Sequence, residues 1–148
     1  MLREASSPGD AVVDNSCASA LAATGRLAEA VAEYRKATAL SPDYPDAHNN
    51  LASALVQSGR FDEAIGEFRM ALRLAPGFAE APSGLGGALA QKGRTDEAIP
   101  HLMKAVELDP RNTMARVNLC LALSLAGRPQ EAIPHAERRS RCRRGATP

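Results

Sequence analysis

Tryptophan is absent, and all aromatics together make up 3% of the chain. A surface that stacks bases needs several exposed rings, so this composition does not suit single-stranded nucleic-acid recognition of that kind. The core must instead be built from Ala, Leu, Val and Ile, which suits close helix packing. No apolar run approaches membrane-spanning length. The opening MLREASSPGD has no apolar signal core, which leads to the expectation of a cytoplasmic chain, or of a piece of something larger. The three cysteines, Cys17, Cys120 and Cys142, are far apart and form no Cys-x-x-Cys pair, which argues against a disulfide framework and a zinc site. Cys17 and Cys120 fall where other repeats carry Leu, Ala or Gly, and are expected to be small buried hydrophobes. No phosphate loop, metal-ligand spacing or nucleophile–base–acid set is visible. The expectation is a chain that is not an enzyme, with no catalytic residue, cofactor or metal.

Acidic and basic residues nearly balance, but not evenly along the chain. Arg138, Arg139, Arg141, Arg143 and Arg144 account for five of the 18 basic residues. The other 13 face 17 acidic residues, so the body is about −4 and the tail +5. An acidic body argues against a nucleic-acid groove on it. The RRSRCRR run reads as a disordered tail, with binding to nucleic acid or an anionic surface as the alternative.

What the sequence does have is a period. Gly25, Gly59, Gly93 and Gly127 are 34 residues apart, as are Ala30, Ala64, Ala98 and Ala132, and Pro42, Pro76 and Pro110. A 34-residue period of two amphipathic helices marks stacked helical hairpins. In the clearest block, Leu51, Ala54 and Leu55 line one helix face and Ala64, Ile65, Phe68, Ala71 and Leu72 line the other. Each glycine sits where a helix end needs positive φ, and each proline where a helix cannot continue. The array is expected over 11–136, as repeats 11–44, 45–78, 79–112 and an incomplete 113–136, with a disordered lead-in over 1–10 and a basic tail over 137–148. The first helix of repeat one is interrupted by Asp14, Asn15, Ser16 and Ser19. That of repeat three holds Pro82, Gly84, Gly86 and Gly87, and is the softest internal helix.

The recurring residues resemble the tetratricopeptide family. Repeat two shows Leu51, Ala52, Leu55, Gly59, Ala64, Phe68, Ala71 and Pro76; repeat three shows Leu85, Gly86, Leu89, Gly93, Ala98, Leu102, Ala105 and Pro110. The resemblance implies an all-α fold, a right-handed α-solenoid of stacked antiparallel helix-turn-helix hairpins. It also implies small residues at Ala52, Gly86 and Ala64 where helix axes cross closely. The family's first large residue is replaced by Asp14, His48, Pro82 and Arg116. The phrasing AHNNLASAL is more similar to the repeats of O-GlcNAc transferase, in which an Asn lines the inner surface. Asn50 and Asn118 match that position; Ser16 and Gly84 do not.

By that resemblance the first helices line a concave groove. The candidate peptide-binding residues are Asn15, Asn49, Asn50, Ser53, Ser83, Val117, Asn118 and Leu121. Asn amides both donate and accept, which suits an extended peptide backbone; the alternative is a solvated polar face with no ligand. A clamp for acidic chain ends does not fit, because the first helices carry only Lys92 and Arg116 as cations. His101 and His135 are expected on the outer face, solvent-exposed and too far apart to share a metal. Glu29, Glu63, Glu97 and Glu131 recur in every repeat and read as first-turn acids that complement helix dipoles.

The function expected is a non-catalytic scaffold for a protein or peptide partner. The alternatives are the targeting arm of a larger enzyme, such as a glycosyltransferase, and a nucleic-acid-associated protein acting through its tail. Met114, Val117, Leu121 and Leu125 are apolar where repeat two has Asp46, Asn49, Ser53 and Gln57, so self-association through the C-terminal end is also expected.

Overall fold

The computed structural model describes residues 7–134, so the tail from 137 and the first six residues of the lead-in lie outside the described residues. Among the described residues eight helices follow one another: α1 (Pro8–Ala23), α2 (Leu27–Leu40), α3 (Pro45–Gln57), α4 (Phe61–Leu74), α5 (Glu80–Gln91), α6 (Thr95–Leu108), α7 (Thr113–Leu125), and α8, helical over 129–134. The described residues include no strand, and none of their helices is long and apolar enough to cross a membrane. The first helix starts before the expected boundary at 11. Pro at the first helical position needs no N–H partner, and the Ser7 N–H donates to Asp10 Oδ2 at 2.9 Å. The chain falls into two compact units, Met1–Ala81 and Pro82–Pro148.

Two kinds of turn recur. Within each hairpin the left-handed glycine supplies a two-bond helix stop. In the first, the Gly25 N–H bonds the Ala22 carbonyl at 3.1 Å and the Arg26 N–H reaches back to Leu21 at 2.9 Å. The same pair recurs at Gly59 and Arg60, Gly93 and Arg94, and Gly127 and Arg128. Glycine is required because φ there lies between 75° and 82°. Between hairpins, each repeat proline takes the second place of a four-residue turn, which its fixed φ favours. These turns close with Tyr44 N–H to Ser41 O at 3.2 Å, Phe78 to Ala75 at 3.0 Å and Asn112 to Asp109 at 3.1 Å.

The recurring glutamates have a second role beside the dipole. Arg26, Arg60 and Arg94 each grip the glutamate three residues on through two guanidinium bonds of 2.6–2.9 Å, and Arg128 pairs with Glu131. Glu63 also accepts from Arg35 at 2.6 Å, which ties α4 to α2. Bonds from Arg60 and then Arg35 hold its carboxyl below the usual carboxylate range. All these pairs are solvated and contribute little to stability.

In the first unit α1 packs on α2, α3 on α4, and α3 on α2 and α1. Its core is Ala30, Val31, Tyr34 and Ala37, then Leu51, Leu55, Ala64 and Phe68, all buried. In the second, α7 packs on α6, and Leu85, Leu89, Leu102, Leu119 and Leu123 are buried. Gly86 marks the close crossing of α5 and α6. A Cβ there would lie 2.4 Å from Leu102 Cγ and 3.3 Å from the Ala98 carbonyl oxygen. Leu102 is fully buried, so moving it aside would disturb a close-packed core.

Gly66, in the middle of α4, faces open space instead. Gly66→Ala should therefore stabilise by about 0.5–1 kcal/mol, the ordinary helix-interior gain. Gly86→Ala should destabilise by about 1–3 kcal/mol through overpacking. Urea denaturation of both variants checks the opposite signs; equal gains would mean that the α5/α6 crossing yields.

Candidate functional site

In the first unit the polar residues of α1 and α3 form a connected set. Asn50 Nδ2 donates to Asn15 Oδ1 at 3.2 Å, and Asn15 Nδ2 donates to the Tyr44 hydroxyl at 3.3 Å. Ser19 Oγ bonds the Asn15 carbonyl at 3.0 Å and shares a hydrogen bond with the Tyr34 hydroxyl at 3.0 Å. One repeat on, Ser53 Oγ donates to the Asn49 carbonyl at 3.1 Å. Asn49 Nδ2 reaches Glu80 Oε2 at 3.3 Å, while its Oδ1 is buried without a partner among the described residues.

This changes the standing of two residues expected to line an open groove. Asn15 and Asn49 are only 9% and 4% exposed. Their side chains point to the helix that opens the next repeat, where Asn50 and Glu80 meet them, so they join repeats and do not face solvent. Asn50 and Ser53 are half-buried and Ser19 is exposed, and these keep access to a ligand.

In the second unit, Ser83 and Asn118 are half-buried. A Cβ on Gly87 would stand 3.3 Å from Asn118 Nδ2, so glycine leaves room for that amide. Val117 and Leu121 are 51% and 53% exposed, and Met114 and Leu125 are exposed beside them. This face of α7 is apolar and open.

Four further positions depart from the sequence-based expectation or lie beyond it. His48 is buried, its Nδ1 2.6 Å from Glu67 Oε2 and its Nε2 2.8 Å from the Pro42 carbonyl oxygen. A carbonyl only accepts, so Nε2 carries a hydrogen. The ring thereby links the α2–α3 turn to α4. The substitution at the family's large-residue position was the only signal for it. His101 is half-buried, not solvent-exposed, and His135 lies outside the described residues. Cys17 is exposed, not buried. It borders a shallow hollow of about 610 Å³ with Ala20, Leu21, Thr24, Arg26 and Glu33. Cys120 is half-buried, its thiol 3.4 Å from the Ala132 carbonyl oxygen. Among the described residues no group of His, Cys, Asp and Glu could hold a metal ion.

Comparison with known proteins agrees with this geometry. A family model described as TPR repeat matches residues 18–59, and one described as tetratricopeptide repeat matches 51–113 and 83–146. No curated protein matches in sequence. Among solved structures, the first TPR of Spaghetti (RPAP3), bound to the HSP90 peptide SRMEEVD, is similar at a TM-score of 0.79 and 24% identity, over 82% of this chain and 96% of that one. MamA is similar at 0.80 and 23%, over 86% and 75%. YrrB, described as a TPR protein with an unusual peptide-binding site, is similar at 0.77 and 26%, over 89% and 72%. The fold is an all-α solenoid of helical hairpins. These comparisons show the tetratricopeptide repeat and do not specifically show a likeness to O-GlcNAc transferase repeats.

The two buried asparagines should respond differently to truncation. Asn15 takes part in two side-chain hydrogen bonds, each contributing about 1 kcal/mol, so Asn15→Ala should cost about 1–2 kcal/mol. Asn49→Ala loses one long bond but removes an unpartnered buried acceptor, a group that costs about 1–3 kcal/mol; its net effect should stay within about 0.5 kcal/mol. Denaturation midpoints of the two variants, compared in one buffer, test the ordering.

Proposed function

The chain belongs to the tetratricopeptide repeat family, and on that premise we propose that it is a non-catalytic scaffold that holds an extended peptide segment of a protein partner on the polar face of its first helices. The observation that carries this reading is the Asn50 amide. Its Nδ2 is held by Asn15, which fixes the side chain before any ligand arrives and leaves Oδ1 to accept from a peptide N–H. Ser53 donates to the Asn49 carbonyl and keeps its own lone pairs for a second donor. Groups ordered in advance lose less entropy on binding. The second unit offers Asn118 at the same repeat position, kept clear by Gly87. The likeness to YrrB supports a peptide ligand.

The ligand's charge follows from the flanking residues. The first helices of the first unit carry Asp10, Asp14 and Asp46 and no Lys or Arg, and Glu80 at the start of α5 meets Asn49. An acidic peptide of the kind seated on the Spaghetti domain meets repulsion here, so a neutral or basic segment fits better.

A displayed library of random peptides, selected on the full chain, tests this. Selected peptides should be neutral or basic, and Asn50→Ala combined with Ser53→Ala should weaken them at least about tenfold, a loss of about 1.4 kcal/mol. Glu29→Gln, on the exposed outer side, should change nothing. Binding that survives the double variant, with helicity intact, would remove the first-helix face from the mechanism.

A further inference from the structure

Repetition makes it possible to see what each helix lacks. In the first unit α3 is covered by the α1/α2 hairpin, and Ala47, Leu51 and Ala54 on it are at most 2% exposed. One repeat earlier the same positions are Val13, Cys17 and Ala20. Val13 is 58% exposed, Cys17 and Ala20 are exposed, and the 610 Å³ hollow opens at Cys17 and Ala20. The local helix is the same; among the described residues, only the preceding hairpin is missing.

The second unit shows the opposite lack. On α1 and α3, the position of Val117 is where the next first helix lands, as Asn15 on Asn50 and Asn49 on Glu80 show; Leu121 stands one turn further along α7. On α7 that face is apolar and open. The surface therefore has a known type of occupant, a first helix bearing complementary residues.

One such helix is present in the chain itself. The residue of α1 at the repeat position of Glu80 is Val12, which is exposed; the residue of α7 at the position of Asn49 is Val117. In the first unit, at Asn49 and Glu80, this pair is polar on polar. With α1 of a second copy laid on α7, it becomes valine on valine. Charge agrees as well: α1 carries Asp10 and Asp14 and no basic residue, whereas α7 carries Arg116 and no acidic one.

We propose that copies of this chain associate head to tail, the α1 end of one seated on the α7 face of the next as though it were the following repeat. The two surfaces differ, so the contact is heterologous and leaves a free face of each kind at every step. Average mass therefore rises with concentration and does not stop at a dimer. The peptide face at Asn50 and Ser53 is separate from this contact.

Light scattering and sedimentation of the full chain over a concentration series test the proposal. The wild type should grow in mass. Val13→Glu and Leu121→Lys alter exposed residues, so both should keep the wild-type helicity, and its melting temperature at concentrations where the wild type is monomeric, and each should raise the half-association concentration at least about tenfold. Mixing the two variants is decisive. The Val13→Glu copy keeps its α7 face and the Leu121→Lys copy keeps its α1 end, so the mixture should form a one-to-one dimer and go no further. Asn50→Ala should leave association unchanged, which separates this result from the fate of the peptide site. A wild type that stays monomeric overturns the proposal. So does association that ignores Val13→Glu, which would mean two α7 faces paired with each other, or a mixture that remains monomeric.

Discussion

The structure depends on how closely the two helices of one hairpin approach each other. Aromatics are scarce, so distance cannot be filled with rings, and burial has to come from bringing backbones together over Ala and Gly. Dispersion and apolar burial then act between the helix bodies themselves. Gly86 against Leu102 is the limiting case, with no space for even one more carbon. The turn makes this possible. A glycine at positive φ, with its two reverse hydrogen bonds, reverses the chain at a fixed angle and register. Ala30, Ala64 and Ala98 then arrive at the crossing, where all three are fully buried. A turn of other geometry would bring Glu29 or Val31 to that place, and the same sequence could not pack.

Features set by backbone conformation or by intrahairpin packing were legible in the sequence, because each repeat states them again. The four glycines, the turn prolines and the alanines have one local reason apiece, and that reason does not change along the chain. The start of α1 was placed late because Ser7-Pro8 reads equally as loop composition and as a cap followed by a proline tolerated in the first turn. The recurring Arg and Glu were seen in register, but their pairing needed the turn to place the Arg side chain over the first turn of the following helix.

The candidate site was less legible. Asn15 and Asn49 sit on the helix face assigned to the groove, yet they are buried, because that face also meets the next repeat. Which part of a helix face is groove and which is junction depends on how far each hairpin is rotated past the last. No periodicity within 34 residues contains that rotation. His48 shows the same limit, since its partners lie six residues before it and 19 after it, at spacings that belong to no local pattern. Cys17 shows it in reverse. Its repeat position is a core position, and it is exposed because no preceding hairpin covers it among the described residues.

Junctions between repeats thus have two chemistries. Inside the first unit they carry directional bonds: Asn50 to Asn15, Asn49 to Glu80, Arg35 to Glu63. Each bond adds little, but a slip of one residue would break it and leave buried amides unpaired, at a cost of about 1–3 kcal/mol for each such group. These bonds therefore select the register more than they strengthen the contact. The apolar positions Val12, Val13, Val117 and Leu121 have no such directional demand, and apolar contact tolerates small shifts. A permanent junction in a single chain gains from fixed register, because every later hairpin inherits the error of an earlier one. A reversible contact between separate chains has no covalent neighbour to hold it in place and must draw on the non-directional term, which is roughly proportional to the area covered. Polar pairs at the first unit's junctions, with valines exposed on α1 and α7, match this difference in demand.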